Sequence, residues 1–508
     1  MSNISKSFFS LTIVFLPFLL NAQRINYSQP QRDDNRKTDF EIIGKIDGKF
    51  LVFSNNRSDN SISIFDDEMK LLNRVNLSFL PERYINAYFI PSEGFFYMIY
   101  EYQKKNIVHC SAVKMDGQGR NLSEPVELDT TQISYTASNK IYTTIISEDK
   151  QKIMIFKINS KDPKNYLFTT FLYNSNLELV SRRRLFMPME ERNETFTDFL
   201  LDNEGTLVFA KFLKSNSGDY VSRVSLVTKG ATADDFSIND LGIGDRLLDE
   251  IKIKIDNGEQ TIYKLAGFYY TQKRGAIEGL YSLIWDKATK SKIKESFTPF
   301  PEDMRAAAKS SESNMKMAFN DYFINQMINT RNGGFLVVSE SQFTTSRGGY
   351  FNRWDYMSGF FNPYLTPMSY YGSPYYYSPW NRYGMGNNPV RYHAENILIL
   401  SLDKDCNLVW SNVIPKSQYD DESENLISNH IMNTGGELHF IYNQYDRRNM
   451  FLSDQSISPE GKITRYPTLR NLDKGYDFMP RYGKQVSANQ MIIPCLYKNY
   501  LCFAKIDF

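Results

Sequence analysis

A hairpin pattern that recurs about every 50 residues is the feature that most constrains how this chain folds. In INQMINTRNGGFLVVSE (residues 324–340), an alternating apolar run reaches a tight turn at Asn332, Gly333 and Gly334, and a second run rich in Val and Phe returns. Glycine supplies the positive φ that short hairpin turns require. Seven further segments repeat the pattern, with turns at Gly48, Gly94, Asp149, Gly205, Gly258, Gly436 and Asn489.

Most of these hairpins are followed by a third strand-like run, an Asp- or Asn-rich turn and a fourth run, as in TTFLYNSNLELVSRRRLF (residues 169–186). Asp and Asn favour such turns because their side chains hydrogen-bond to the local backbone. A four-stranded sheet cannot bury both of its faces alone, so the repeat predicts sheets packed side by side around a channel. On this pattern, residues 40–508 resemble the β-propeller superfamily, without the marks of WD40 or kelch repeats. The resemblance implies an all-β fold, a β-propeller of eight (alternatively seven) four-stranded blades, with one inserted helix and one long aromatic-rich loop.

The last module, residues 477–508, contains three strand-like runs. An uncovered outer edge would invite edge-to-edge aggregation. We therefore expect residues 24–30 (RINYSQP), within an N-terminal segment 23–39, to supply the missing strand and close the ring.

Residues 1–22 have the pattern of a secretory signal peptide. Lys6 gives the positive start, residues 8–20 form a short apolar core, and Ala22 precedes the expected cleavage site. The Asn-Ala-Gln ending resembles exports of Bacteroidota-type Gram-negative bacteria. The sequence predicts an exported protein that is periplasmic, outer-membrane-associated or extracellular, with no transmembrane helix after signal removal.

Charge and motifs exclude several function classes. The net charge of +1 gives no footprint for nucleic acid. The Arg182-Arg183-Arg184 run reads as a solvated strand edge. The four histidines (His109, His393, His430 and His439) lack the spacing of a metal site, although His430 and His439 share one hairpin. No nucleophile elbow or phosphate-cradling loop is present, and no cofactor is predicted.

Carboxylates on the innermost strands keep a glycan-cleaving enzyme as an alternative, because such enzymes place two carboxylates several ångströms apart. Asp198 and Glu250 come from adjacent modules and are the candidate pair, with Asp249 beside them. Similarly placed polar residues of other modules are candidates for lining the channel: Asn86, Thr143, Asn325 and Asn429.

Two insertions interrupt the repeat. Residues 301–323 begin with Pro, Glu and Asp and place six residues on one face at helical spacing: Met304, Ala308, Ser311, Met315, Phe319 and Tyr322. This pattern predicts a helix that either binds a partner or packs against neighbouring blades.

The second insertion, residues 344–392, holds ten tyrosines, Trp354 and Trp380. Long loops in compact domains are functional or disordered, and disordered segments are poor in aromatics. Tyr and Trp give a large contact area with a polar tip. The insertion is therefore read as a contact surface for a ligand or partner, as a plug that buries its own rings, or as an assembly-prone loop. The candidate contact residues are Trp354, Tyr370, Tyr371, Tyr375, Tyr376, Tyr377, Trp380 and Arg382.

Four cysteines in an exported protein raise the question of pairing. Cys495 and Cys502 flank the turn Lys498-Asn499 symmetrically, so a two-residue hairpin sets them opposite one another. Counting from the turn makes theirs a hydrogen-bonded pair, which has the wider separation. The alternatives are a disulfide or two buried thiols.

Together these features predict a binding or scaffolding module for an envelope protein or glycan, with contacts from the Tyr-rich insertion. The glycan-cleaving enzyme is the alternative. A third reading is an outer-membrane β-barrel, because the mostly apolar alternation in NYLCFAKIDF resembles the terminal signal of such barrels.

Overall fold

The computed structural model describes residues 24–31, 38–56, 59–81, 84–134, 137, 140–162, 165–189, 194–214, 220–249, 251–273, 275–309, 315–346, 390–421, 423–446, 449–466 and 475–508. Within them the chain forms small antiparallel sheets, which we call modules 1 to 8 in chain order.

The strands of the first four modules are as follows. Module 1 contains β2 (Thr38–Ile46), β3 (Lys49–Asn56), β4 (Asp59–Phe65) and β5 (Leu71–Asn76), and β1 (Arg24–Tyr27) precedes it. Module 2 contains β6 (Tyr84–Pro91), β7 (Phe95–Lys104), β8 (Ile107–Asp116) and β9 (Val126–Gln132). Module 3 contains β10 (Thr143–Ile146), β11 (Lys152–Asp162), β12 (Asn165–Asn174) and β13 (Leu179–Pro188). Module 4 contains β14 (Glu194–Leu201), β15 (Leu207–Lys214), β16 (Val221–Lys229) and β17 (Ser237–Asp240).

The remaining strands complete the repeat. The two-residue strand β18 (Leu247–Leu248) leads to module 5, which contains β19 (Lys252–Ile255), β20 (Ile262–Tyr270), β21 (Gly279–Asp286) and β22 (Ser291–Pro299). Module 6 contains β23 (Tyr322–Asn329), β24 (Phe335–Ser346), β25 (Val390–Leu402), β26 (Leu408–Ile414) and β27 (Gln418–Asp420). Module 7 contains β28 (Asn429–Asn433), β29 (Leu438–Asp446), β30 (Asn449–Ile457) and β31 (Ile463–Arg465). Module 8 contains β32 (Tyr476–Phe478), β33 (Lys484–Ser487), β34 (Gln490–Tyr497) and β35 (Tyr500–Asp507).

Modules 4 and 5 are hydrogen-bonded into one sheet. In it, β18 pairs with β16 on one side, through Val221 and Leu248, and with β20 on the other, through Leu247 and Tyr270. Each of the two modules nevertheless keeps its own four antiparallel strands. The described strands therefore make eight modules, which confirms the predicted fold class and the higher of the two expected counts.

Apolar side chains between neighbouring modules hold the ring together. Eight buried clusters lie one between each successive pair of modules, and the last joins module 8 to module 1. In that closing cluster, the rings of Phe40 and Phe503 meet edge to face with their centroids 5.5 Å apart. Full burial of one such side chain is worth roughly 1.5–3 kcal/mol. Since every sheet has a cluster on both faces, the eight modules form a closed propeller.

The turns follow the local chemistry predicted from the sequence. Seven of the eight predicted hairpin turns lie between the first and second strand of a module, and the eighth, at Asn489, lies between β33 and β34 of module 8. At Gly334 an added Cβ would lie 2.2 Å from the carbonyl oxygen of Leu402, so only glycine fits there. Four of the turns between the third and fourth strands share one arrangement. In each, an Asp or Asn side chain accepts hydrogen bonds from the backbone N–H groups two and four residues later: Asp66, Asp116, Asn174 and Asp403.

The N-terminal strand lies at the outer edge of module 8. Arg24–Tyr27 pairs antiparallel with Ala504–Asp507 of β35, where the sequence analysis expected a closing strand. Tyr27 stacks on Tyr476 with ring centroids 4.3 Å apart, whereas the Arg24–Glu68 ion pair is exposed. The sheet order is β1-β35-β34-β32, with β33 also on β34. The two ends of the described chain therefore share one module.

The insertion at residues 301–323 is a helix over only part of its predicted length. Helix α1 spans Glu302–Ala308, a 3₁₀ turn covers Met315–Met317, and Tyr322 already begins β23. The prediction of a helix through residue 323 is wrong because Phe319 packs into the core, with its ring centroid 4.3 Å from that of Phe300. Met304 and Ala308 are buried as expected, whereas Met315 is exposed.

Both insertions leave the propeller from the same face. One follows the fourth strand of module 5 and the other follows the second strand of module 6, and in an antiparallel sheet these strands end on the same side. Asn396 of β25 donates hydrogen bonds to the carbonyl oxygens of Ala308 and Lys309 (3.3 Å each), which places the end of α1 against module 6. The tight turns between first and second strands lie on the opposite face.

Replacement of Tyr27 by Ala tests the closure of the ring. We expect Tyr27→Ala to lower the free energy of unfolding by about 1–3 kcal/mol, because it removes a half-buried ring from the strand that covers β35. The measurement is urea denaturation followed by circular dichroism.

Arg24→Ala is the matched control on the same strand. Because its ion pair with Glu68 is exposed, the expected loss is within about 1 kcal/mol. An equal effect of the two substitutions would show that pairing of β1, rather than packing of Tyr27, carries the closure.

Candidate functional site

The residues predicted for ligand contact lie largely outside the described part of the chain. Trp354, Tyr370, Tyr371, Tyr375, Tyr376, Tyr377, Trp380 and Arg382 all fall within residues 347–389, which the structure does not describe. The insertion is also shorter than the predicted 344–392, because β24 continues to Ser346 and β25 begins at Val390.

The structure describes the side chain of neither catalytic candidate, Asp198 or Glu250. Glu250 lies outside the described residues, and for Asp198 only the backbone position in β14 is described. Asp249 is fully buried and accepts a hydrogen bond from the hydroxyl of Tyr270 at 3.3 Å. Asn325 and Asn429, expected to line the channel, both point their amides at Glu340, at 3.5 and 2.9 Å.

A row of aromatic side chains lies where the second insertion leaves the sheet. Phe343 of β24, His393 of β25 and Tyr419 of β27 are successive cross-strand partners on three adjacent strands. Tyr445 of β29 continues the row in module 7. We call these four residues the aromatic row. Cross-strand partners share one face of a sheet, so the register alone brings these rings together.

The rings of the aromatic row stand side by side. Phe343 and His393 are parallel within 8°, with centroids 4.4 Å apart. His393 and Tyr419 are 6.4 Å apart, and Tyr419 and Tyr445 are 6.5 Å apart. Tyr419 is 50% exposed and Tyr445 is 44% exposed. Two large aromatic residues side by side at the surface are typical of a contact site rather than of a core.

A charged pair flanks the row. Arg391 donates two hydrogen bonds to Asp421, at 2.5 and 3.0 Å, and its guanidinium lies 4.4 Å from the centre of the Tyr419 ring. The hydrogen bond from Arg391 lowers the pKa of Asp421. The ion pair is exposed, so it orients the Arg391 fork over Tyr419 rather than adding much to stability. The row therefore carries a cation and an anion at its edge.

A buried ion pair supports this surface from below. Lys416 Nζ lies 2.8 Å from Glu340 Oε1, and both side chains are almost completely excluded from solvent. Burial by itself would raise the pKa of Glu340, but the Lys416 ammonium and the hydrogen bonds from Ser428 and Asn429 outweigh it, so this pKa is lowered. An ionised Glu340 thus holds Lys416, which lies three residues before Tyr419.

Further hydrogen bonds tie the same segment to module 7. Lys416 donates to Gln418 Oε1 at 2.7 Å, and Gln418 donates to the carbonyl oxygen of Asn443 at 2.8 Å. The Ser428 backbone N–H donates to Gln418 at 2.9 Å, and the Ser428 hydroxyl donates to Glu340 at 2.5 Å. Because these groups are satisfied, the backbone below Tyr419 is held in one arrangement.

The aromatic row combines aromatic surface with polar and charged groups. Phe343 and His393 lie face to face, and the Arg391 guanidinium lies over one face of Tyr419. Tyr419 and Tyr445 are about half exposed, so part of each side chain faces solvent beside the charged pair. Among the described residues, no group of three or more His, Cys, Asp or Glu side chains is placed to hold a metal ion. In the same part of the chain, no helix is long and apolar enough to cross a membrane.

The other histidines and the arginine run have structural partners. His109 lies 2.7 Å from Glu127, and His439 lies 3.0 Å from Asp454. His430 is buried in the same hairpin as His439. In the arginine run, Arg182 and Arg183 make ion pairs with Asp129 and Asp234, whereas Arg184 lies on the outer strand of module 3.

Sequence reasoning missed the aromatic row because its members are far apart in the chain. Phe343 and His393 lie at the two ends of the insertion, and Tyr419 and Tyr445 lie in later segments. One usable signal was the alternation Lys416, Ser417, Gln418, Tyr419, which turns the first and third side chains inward and the fourth outward.

Comparison with known proteins finds distant similarity to solved structures alone. No protein-family model and no curated protein sequence matches the chain. Similar solved structures include prolyl oligopeptidase B from Galerina marginata bound to a 35mer substrate, with a TM-score of 0.41, 8% identity, and coverage of 92% of this chain and 56% of that one. Another is the apocarotenoid oxygenase of Synechocystis, with a TM-score of 0.33, 8% identity and coverage of 73% and 72%.

The present chain thus spans little more than half the length of prolyl oligopeptidase B. The assignment of the fold itself rests on the eight modules and on the apolar clusters between them.

Substitution of Lys416 by Met tests the support beneath the row. Because it leaves the Glu340 carboxylate buried without its cation, we expect Lys416→Met to lower the free energy of unfolding by about 3–5 kcal/mol. Adding Glu340→Gln should recover at least half of that loss, since no unpaired charge then remains. Urea denaturation of the single and double variants measures both effects.

Arg391→Met is the matched control, because it removes the cation of an exposed pair in the same module. Its expected effect on stability is small. A Lys416→Met variant as stable as Arg391→Met would contradict the supporting role of the buried pair.

His430 should make stability depend on pH. Burial lowers the pKa of His430 from its ordinary value of 6.5 to about 4. Between these values the unfolded chain binds a proton that the folded chain does not, so stability present above pH 6.5 is lost as pH falls toward 4. The full loss of unfolding free energy from this titration is about 3 kcal/mol. The His430→Asn variant should not show this loss.

The measurement is the free energy of unfolding of both proteins at pH 7.5, 5.5 and 4.5. Equal pH slopes for the wild type and the variant would contradict burial of a neutral His430.

Proposed function

We propose that this protein is an exported binding module that recognises a protein partner of the cell envelope through the aromatic row and the adjoining Tyr-rich insertion. The observation that carries the proposal is the exposed pair Tyr419 and Tyr445, which stands beside the Arg391–Asp421 pair at the foot of the insertion. Tyr and Arg are enriched in protein–protein contact sites because they combine large contact area with directional hydrogen bonds.

The stacking geometry favours a protein over a glycan. A sugar ring binds aromatic side chains by lying flat on an open ring face. In the aromatic row, Phe343 and His393 face one another at 4.4 Å, and the Arg391 guanidinium lies over Tyr419. The row offers a ligand two half-exposed Tyr side chains with their hydroxyls and two opposite charges, and this mixture suits the polar backbone and mixed side chains of a protein surface.

The position of the insertion supports a shared contact surface. Strand β24 ends at Ser346, just before the insertion, and strand β25 begins at Val390, just after it. Ser346 and Val390 are cross-strand partners next to the row. Thr345 hydrogen-bonds to His393 across the same pair of strands at 3.1 Å. A partner seated on the aromatic row therefore meets both ends of the insertion.

The buried network below the row supports preorganisation. Lys416 and Gln418 are fixed by Glu340 and Ser428, so Tyr419 is presented from a segment that does not have to be ordered on binding. Preorganised contacts lose less entropy on association. Export through the segment 1–22 is part of the proposal and rests on the sequence pattern alone.

The double substitution Tyr419→Ala/Tyr445→Ala tests the proposal. Protein immobilised on beads is incubated with detergent-solubilised envelope from the native host, and bound proteins are identified by mass. We expect one or more proteins retained by the wild type to be reduced at least tenfold by the double variant, with the fold intact by circular dichroism. Removing two exposed interface aromatics typically costs more than about 1.4 kcal/mol, which is tenfold in affinity.

Phe186→Ala is the control, because Phe186 is 67% exposed on the outer strand of module 3. A second variant replaces residues 347–389 by Asn-Gly, a two-residue turn that the pairing of Ser346 with Val390 can accept. It should stay folded and also lose the partner. Retention by the double variant, or loss with Phe186→Ala, would overturn the proposed surface. Binding to purified envelope polysaccharide that the double variant abolishes would assign the site to a glycan instead.

A further inference from the structure

Two cysteines of module 8 lie directly opposite each other in its central hairpin. Cys495 of β34 and Cys502 of β35 are cross-strand partners, and their Sγ atoms are 2.9 Å apart. Both side chains are fully buried, and both are thiols in this structure. The turn between the strands consists of Lys498 and Asn499 at φ values of 49° and 66°, which fixes the register that sets the cysteines face to face.

The backbone separation suits a covalent bond. Counting from the two-residue turn, the cysteines form a hydrogen-bonded pair, whose Cα atoms are about 5.5 Å apart. The non-hydrogen-bonded pairs of the same hairpin have closer Cα atoms, at about 4.5 Å. Disulfides nevertheless commonly have Cα separations of about 5.5–6 Å, which the hydrogen-bonded pair matches. Closing the remaining distance needs rotation of the side chains and no change of register.

We propose that Cys495 and Cys502 form a disulfide when the protein folds under oxidising conditions. The reaction is thiol–disulfide exchange with a disulfide of low molecular weight or of an oxidoreductase. Each cysteine gives up its proton, one S–S bond forms between them, and the oxidant's S–S bond is reduced to two thiols. The inference is independent of the proposed function.

Burial determines when this reaction takes place. In the folded protein, desolvation and the neighbouring Cys502 raise the pKa of Cys495, so little thiolate is present to attack a disulfide. The exchange therefore belongs to the folding chain, when the hairpin has formed but its outer faces are still open. Once the propeller is closed, the same burial shields the bond from reductants.

The bond would act where the ring is closed. β35 pairs with β34 on one side and with the N-terminal strand β1 on the other. Cys502 also contacts the Cys495 carbonyl oxygen at 3.2 Å, inside the cluster shared by modules 7 and 8. A link between β34 and β35 prevents the closing strand pair from peeling away as a unit.

The chain supplies its own controls. Cys110 lies in β8 of module 2 and Cys406 in the turn after β25 of module 6, and both are as deeply buried as the proposed pair. Neither lies in module 8, where the two cysteines face each other. Burial without a facing cysteine should leave both Cys110 and Cys406 as thiols. Of the four cysteines, two are expected to be oxidised and two free.

The experiment uses the full mature chain, refolded in a mixture of reduced and oxidised glutathione, then denatured and alkylated with iodoacetamide without prior reduction. We expect alkylation of Cys110 and Cys406 only. Trypsin cleaves after Lys498, so a disulfide appears in the unreduced digest as residues 485–498 joined to residues 499–505, and it disappears after reduction.

Alkylation of all four cysteines in the wild type would overturn the proposal, as would linked peptides containing Cys110 or Cys406. Because this measurement is made on the wild-type chain, it does not depend on a variant that folds. As a second test, a phosphine reductant applied to the refolded protein during thermal unfolding should lower the midpoint of the wild type and leave that of Cys495→Ala/Cys502→Ala unchanged.

Discussion

Apolar packing between neighbouring sheets is the interaction on which the rest of this structure depends. No module has a core of its own, because the buried residues of each sheet face the sheets before and after it. Such an array is stable only if its first and last sheets are covered as well. Here the two cover each other, and Phe40 of module 1 meets Phe503 of module 8 at the closing cluster. The pairing of Arg24–Tyr27 with β35 follows from the same requirement, since a ring leaves only short outer edges.

The closed ring also explains why charged groups lie deep between modules. Lysines that are almost completely buried bridge neighbouring modules or bind the turns beside them: Lys264 contacts Asp256 and the Gly334 carbonyl, Lys416 contacts Glu340, and Lys505 contacts Asp67. A buried charge is tolerated only where its partners are fixed. Lys264 thereby links module 5 to module 6 through the Gly334 carbonyl, and Lys505 links module 8 to module 1 through Asp67. Glu340 connects modules 6 and 7 directly below the aromatic row, because it pairs with Lys416 within module 6 and accepts hydrogen bonds from Ser428 and Asn429 at the start of module 7.

Most of what the sequence predicted correctly was local. The exception is the closing strand at residues 24–30, which was expected because the last module lacked a strand at its outer edge. What the sequence missed was long-range. The turns at Gly48, Gly334 and Gly436 could be located because glycine, Asp and Asn impose their geometry within four residues. The number of modules follows from counting those turns. The helix predicted over residues 301–323 is confirmed at Glu302–Ala308 but does not extend to Phe319, which packs into the core, a tertiary effect that overrides helical periodicity. The aromatic row was not predicted because His393, Tyr419 and Tyr445 become neighbours only through register and through the docking of module 7 on module 6.

The two faces of the propeller are unequal, and this inequality places the contact surface. On one face, the turns are short and are held by side-chain hydrogen bonds such as those of Asp66 and Asp403, so they leave little room for inserted sequence. On the other face, the chain passes from one module to the next and from second to third strands, and both insertions leave from there. Helix α1 packs back onto module 6 through Asn396, which occupies that side of the module. The aromatic row lies on the remaining side, toward module 7, so the proposed partner would approach from the insertion face at the seam of these two modules.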